Sequence, residues 1–221
     1  MSLRLYEQLG LPRKQLNLIE PIQTAPGMQE CLASFLQRLS RQHGTDVKTA
    51  YRDLAWGVRS SFNEPLVGLM EAKTDFPVRL NKQTDHTRTL CRAFTALQPA
   101  TALERLVLPE SSMPPLRLKK HYAWCPRCVA DWKHDGVDCH IPLAWVVDGY
   151  EYCHLHHCYL RPHCAKCAFQ LKSLSSAHAQ GACPNCRQEW TECAGETFSA
   201  PQNDLWRSSQ SVEVLRALSG S

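Results

Sequence analysis

The stretch "WCPRCVADWKHDGVDCHIPLAWVVDGYEYCHLHHCYLRPHCAKC", residues 124–167, holds seven cysteines and six histidines. Side chains of this kind at this density either crosslink one another or hold metal ions, and each alternative dictates where the backbone must turn. The spacing favours metal. Structural zinc takes four tetrahedral N or S ligands, and a Cys-x-x-Cys turn presents two thiolates at that separation while its amides hydrogen-bond the sulfurs. Three such pairs occur: Cys125 with Cys128, Cys164 with Cys167, and Cys183 with Cys186. A fourth pair, Cys153 and His156 in "CHLH", sets a thiolate and an imidazole at the same spacing.

Four ligand pairs make two closed zinc sites. Taken in sequence order, Cys125, Cys128, Cys153 and His156 form one, and Cys164, Cys167, Cys183 and Cys186 the other; an interleaved pairing would use the same eight residues. The surplus Cys139, His140, His154, His157, Cys158, His163 and Cys193 form no second complete set, although His154 and His157 are close rivals to His156. Cations and an amide beside the cysteines (Arg127, Lys166, Asn185, Arg187) suit negatively charged thiolate centres. Trp124, Trp132, Trp145 and Tyr150 are expected to build the small core that such modules need around their metal.

Disulfides are the weaker alternative. The opening "MSLRLYEQLGLPRKQLNLIE" interrupts its apolar residues with Arg13, Lys14 and Glu20 and forms no signal core, so a cytoplasmic location is expected, where cysteines stay reduced. No apolar run approaches membrane-spanning length. The formal net charge of +4 counts every cysteine as neutral; seven thiolates against two doubly charged zinc ions lower it to +1. Net charge therefore gives no case for or against nucleic acid. Enzyme chemistry finds little purchase: both metal sites close with four protein ligands, and HExxH, the HxE half of the zinc-deaminase signature, Walker A, GxGxxG and GxSxG are all missing. The expectation is a protein that is not an enzyme.

The region before the cluster reads as helical. In "GMQECLASFLQRLSRQHG" the apolar residues Met28, Leu32, Phe35, Leu36 and Leu39 recur at helical spacing, and Gly44 is placed to cap the C-terminus. Further helices are expected at 45–58, after Asn63, and at 84–97; Cys31 in the preceding stretch and Cys91 in the last of these helices read as small core residues rather than ligands. The last of these helices, the break "QPA" and the segment "TALERLVLP" outline a helix-turn-helix, an outline that any two packed helices share. Prolines in "PESSMPPLRLKKHYAW" then end the helical pattern, and the basic run Arg117, Lys119 and Lys120 reads as a solvated linker or a phosphate contact. The expected architecture is mainly α with small zinc-binding α+β modules. An N-terminal helical, helix-turn-helix-like domain (1–115) precedes a tandem zinc-finger or zinc-ribbon domain (116–195) and a tail (196–221) with one short amphipathic segment around Val212, Val214, Leu215 and Leu218.

The zinc region resembles the TniQ family of transposition proteins, whose pattern runs Cys-Pro-x-Cys, a tryptophan-bearing stretch, Cys-x-x-His with a small residue and a leucine-rich run, then Cys-Pro-x-Cys. The matching positions are Cys125, Pro126, Cys128, Trp145, Cys153, His156, Leu160, Cys164 and Cys167. "PGMQECLASFLQRLSRQHG" and "AFTALQPATALERLVLP" are similar to the family's N-terminal helix and helix-turn-helix segment. Three departures stand out: His157 occupies a place where the family usually has glycine, and Cys31 and Phe35 replace the more usual serine and tryptophan.

The resemblance implies a target-selection adaptor. Such a protein bridges a target-recognising element, either DNA or a CRISPR guide-RNA effector complex, to an AAA+ ATPase of the TnsC or TniB type that recruits the transposase. The shortness of the chain after Trp190 favours the guide-RNA-linked form, and a homodimer is an open alternative. The residues alone also allow a stand-alone sequence-specific DNA-binding regulator or a metal-stabilised protein scaffold without nucleic-acid contact.

Overall fold

A computed structural model of the chain describes residues 19–25, 27–47, 91, 107, 117–171, 181–193 and 201–219. The helices expected at 45–58, after Asn63 and at 84–97, and the helix-turn-helix-like segment, lie outside the described residues, except that Val47, Cys91 and Val107 are buried. What is described mixes helices with very short strands. Four α-helices, α1 (Leu32–Gln42), α2 (Pro126–His134), α3 (Leu143–Val146) and α4 (Gln202–Ser219), accompany an antiparallel pair, β1 (Tyr152–Cys153) and β2 (Cys158–Tyr159), and a 3-10 turn at Trp190–Cys193.

Helix α1 begins at Leu32, four residues after Met28, because Gln29 and Glu30 pair in bridges with Gln23 and Pro142; from Leu32 on it follows the sequence expectation. Gly44 is left-handed (φ +62), its amide bonds the Arg41 carbonyl and the Thr45 amide reaches back to Ser40, the hydrogen-bond pair of a Schellman cap. Met28, Leu32, Phe35, Leu36 and Leu39 are all fully buried. So are the polar residues Ser34, Gln37, Arg38 and Ser40 that should have faced water. The helix is enclosed because its start is sewn into the zinc region: the Cys31 amide bonds Ile141 O, the Ile141 amide bonds Ser34 Oγ, and the Leu143 amide bonds Gln29 O.

A buried carboxylate organises that seam. Glu30 has no exposed surface, and its oxygens accept from Ser34 Oγ (2.8 Å), Arg38 Nε (3.2 Å) and the Ile22 amide (3.3 Å). Arg38 in turn donates to the Glu20 carbonyl. Burial raises the Glu30 carboxyl to about 7, although Arg38, Ser34 and Ile22 all act to lower it.

The basic run after the prolines is not a free linker. The 118 position bridges Val147 in an antiparallel pairing, the Lys119 amide bonds Val146 O, and Lys119 Nζ is buried against the Tyr150 carbonyl and the Glu151 carboxylate. Lys119 is thus unavailable to a phosphate, and burial lowers its pKa. Arg117 and Lys120 remain exposed.

The C-terminal segment is longer than its apolar stripe suggests. The reading from sequence took in only 211–219, whereas α4 starts at Gln202, because its first half uses polar anchors. Tyr152 donates its hydroxyl to Asp204 (3.0 Å), and buried Ser208 accepts from the Tyr152 amide. Val212 and Leu215 complete the contact with the core, while Val214 is half-buried.

Gly27 is where α4 meets the N-terminal segment. Its φ is +75, and a Cβ there would stand 2.4 Å from Val212 Cγ1. Gly27→Ala combines a disfavoured backbone with a steric conflict, so we expect a loss of more than about 1 kcal/mol in urea unfolding of the zinc-loaded chain. Adding Val212→Ala should recover part of it, since only the steric share is relieved. An unchanged midpoint for Gly27→Ala would disprove this packing.

Candidate metal centre

The first donor set is assembled from a helix start and a hairpin. Cys125 is the N-cap of α2, with Pro126 supplying the pre-set first position and the Cys128 amide directed at Cys125 Sγ (3.5 Å). Cys153 ends β1, and His156 lies in the turn that follows. His156 Nδ1 is 3.5, 3.3 and 3.6 Å from the sulfurs of Cys125, Cys128 and Cys153, and the Cys128 and Cys153 sulfurs are 3.5 Å apart. Tetrahedral ligands at zinc distances stand about 3.8 Å apart for two sulfurs and about 3.6 Å for sulfur and nitrogen. The donor set has the size of one zinc ion.

The second set comes from two hairpins. Cys164 faces Cys186 and Cys167 faces Cys183, each pair at 3.6 Å between sulfurs. In both sets every ligand atom lies within 4.8 Å of every other. These are the sequential groupings; the interleaved alternative does not occur.

Three of the four ligand pairs share one backbone. The residue after the second ligand is left-handed at His157 (φ 51), Ala168 (φ 54) and Arg187 (φ 63), and its amide bonds the carbonyl of the first ligand, Cys153, Cys164 or Cys183, at 2.8–2.9 Å. Just outside, Tyr152 pairs with Tyr159, His163 with Gln170 and Ala182 with Glu189. The fourth pair differs because Pro126 turns the chain into a helix, whose N-terminal amides and dipole favour thiolates.

The surplus donors have other tasks. His154 Nδ1 is 2.7 Å from the Tyr150 hydroxyl, and His157 is exposed at its left-handed position, which leaves His156 as the imidazole at the centre. His140 is fully buried, stacks on Trp132 at 4.0 Å and bonds the Asp138 carbonyl; burial lowers its pKa to about 4, so it is neutral. Cys139 lies against Gly181, burial raising its thiol to about 12. His163 stacks beside His121. Cys31 is buried in α1's approach and Cys91 is buried in the core, as expected of small apolar residues. The Cys193 side chain lies outside the described residues. Cys158 is the surplus donor closest to a site: its sulfur is 3.6 Å from that of Cys125, placed there by its pairing with Cys153 across β1 and β2.

The tryptophans form the packing between the centres. Trp132 stacks on Trp145 at 5.4 Å, and Trp124, before the first ligand, stacks on Trp190, after the last, at 4.6 Å. Lys133 on α2 pairs with Glu189 of the last hairpin at 2.6 Å.

Two sulfur-rich donor sets, one on a helix start and one between two hairpins, could hold two metal ions, and their three-cysteine, one-histidine and four-cysteine compositions suit zinc. The TniQ family model matches residues 21–160, most of the chain, and the chain belongs to the TniQ family. That span takes in α1 and the complete first donor set and ends before Cys164. No curated protein matches the chain. Among the described residues no helix is long and apolar enough to cross a membrane.

Purified chain should carry two zinc ions, and Cys125→Ser or Cys183→Ser should each remove about one. Zinc counted by atomic absorption with unaltered occupancy in both variants would refute the two donor sets. His157→Gly should retain both ions and raise stability by about 0.5–1 kcal/mol, since glycine accepts the left-handed backbone without a Cβ penalty. A destabilised His157→Gly variant would mean that the imidazole has a role in the folded chain.

Proposed function

We propose that this chain is a target-selection adaptor in DNA transposition that links a target-recognising element, a guide-RNA effector complex or target DNA, to an AAA+ transposition ATPase. Membership of the TniQ family carries the reading, since that family is one of transposition-associated adaptors. The donor sets support it: each is complete at four protein ligands, the arrangement of structural zinc, with no position left for a reacting water. Two structural Zn²⁺ ions would hold the shape of a surface on which partners assemble. Contact with the transposase would be indirect, through the ATPase, and the site of action would be the bacterial cytoplasm.

An adaptor of this kind should bind duplex DNA weakly alone and associate with its ATPase when that ATPase is assembled with nucleotide on DNA. Modest contacts repeated along an oligomer give avidity that one contact cannot. Co-sedimentation with ATPase filaments, and transposition into a programmed target with and without the gene, test this. Unchanged target choice without the gene, together with no ATPase association under any nucleotide condition, would favour a stand-alone DNA-binding regulator.

A further inference from the structure

The "CHLHH" turn offers three histidines within four positions, and only His156 joins the first donor set. One residue on another element meets that imidazole from behind. Asp131 lies one helical turn after Cys128 on α2, on the same face as that ligand. Its Oδ2 is 2.9 Å from His156 Nε2, while His156 Nδ1 is directed at the three sulfurs. The imidazole is therefore held from both sides.

We propose that Asp131 is a positioning residue of the first metal centre. This rests on reading that donor set as a zinc site. Its carboxylate accepts a hydrogen bond from Nε2–H, which fixes the tautomer with Nδ1 bare and stops the ring from rotating away. A carboxylate behind a ligating imidazole also makes the nitrogen facing the metal more basic and a better donor. The contact adds to what already separates His156 from its rivals, His154 being tied to Tyr150 and His157 exposed to solvent. Adding a carboxylate beside three thiolates carries a like-charge cost. The Asp131 side chain is 58% exposed, so water screens much of it.

The test uses the full-length chain loaded with zinc, and then with cobalt as an optical probe. Zinc transfer to a competing chelator is followed for the native chain, Asp131→Asn and Asp131→Ala. We expect two ions in the native chain and one of the two held about ten- to a hundredfold less tightly in Asp131→Ala. Asp131→Asn should fall between, because its amide oxygen still accepts from Nε2 but carries no charge. In the cobalt form the absorption of the three-sulfur, one-nitrogen centre should shift while that of the four-sulfur centre stays constant, a signature that a general loss of stability would not produce. Should Asp131→Ala fail to fold, the near-isosteric Asn variant decides. Native zinc retention and cobalt spectra in Asp131→Asn, in a background that holds two ions, would overturn the proposal. Fewer than two ions in the native chain would instead overturn the metal reading on which it depends.

Discussion

The convergence of Cys125, Cys128, Cys153 and His156 on one point is the constraint from which the described structure follows. It ties the start of α2 to the β1–β2 hairpin, and the chain between those ligands contributes Trp132, Ile141, Trp145, Val147 and Tyr150 to the core. Metal binding of this kind acts as folding energy, because a preformed site does not exist in the unfolded chain. With that loop closed, Ile141 and Leu143 are presented as backbone partners to α1, and Tyr152 becomes the anchor for α4. Neither helix touches the metal ligands through a hydrogen bond described above, yet both are positioned by the loop that the ligands close.

Polar groups within this core fix alignment rather than add attraction. A buried ion pair such as Glu30 with Arg38 has its coulombic gain offset by desolvation, and the raised Glu30 pKa shows which side prevails for the carboxyl. What the pair provides is direction. Glu30 bonds Ile22 and Ser34, Ser34 bonds Ile141, and Arg38 bonds Glu20, so one network sets the N-terminal segment, α1 and the zinc region in a single register. Because Glu30 binds its proton more tightly folded than unfolded, its contribution is full below about pH 4.5 and is lost as the pH rises through 7.

The donor sets and the core of α1 were legible in the sequence, for a shared reason. Ligand pairs at Cys-x-x-Cys spacing and apolar residues at helical period are local patterns that report local geometry; they mark the eight donors, though the fold selects their sequential grouping, and the apolar positions Leu32, Phe35, Leu36 and Leu39 of α1. The partners of those elements were not legible. Lys119 reads as a solvated cation because a lysine between prolines and aromatics ordinarily is one; its burial depends on the Tyr150 carbonyl, thirty-one residues away. The first half of α4 shows no apolar stripe, since Asp204 and Ser208 dock through hydrogen bonds to Tyr152. Asp131 had a local signal, its helical spacing from Cys128, but only the fold shows that His156 meets it.

The two centres are unequal in how they join the core. The first has Cys125, Cys128 and Cys153 buried, and it organises the residues around it. In the second, Cys167 and Cys186 are half-buried, and its contacts with the rest include Trp190 on Trp124, Glu189 on Lys133, Gly181 against Cys139, His163 beside His121 and the Tyr122 amide on the Leu171 carbonyl. An aromatic stack adds about 0.5–1.5 kcal/mol beyond its burial, and an exposed ion pair at most about 1 kcal/mol. The family match follows the same division, ending between the two centres at residue 160. The first donor set is thus the more deeply buried of the two, and the second is fixed against it by several contacts rather than by one.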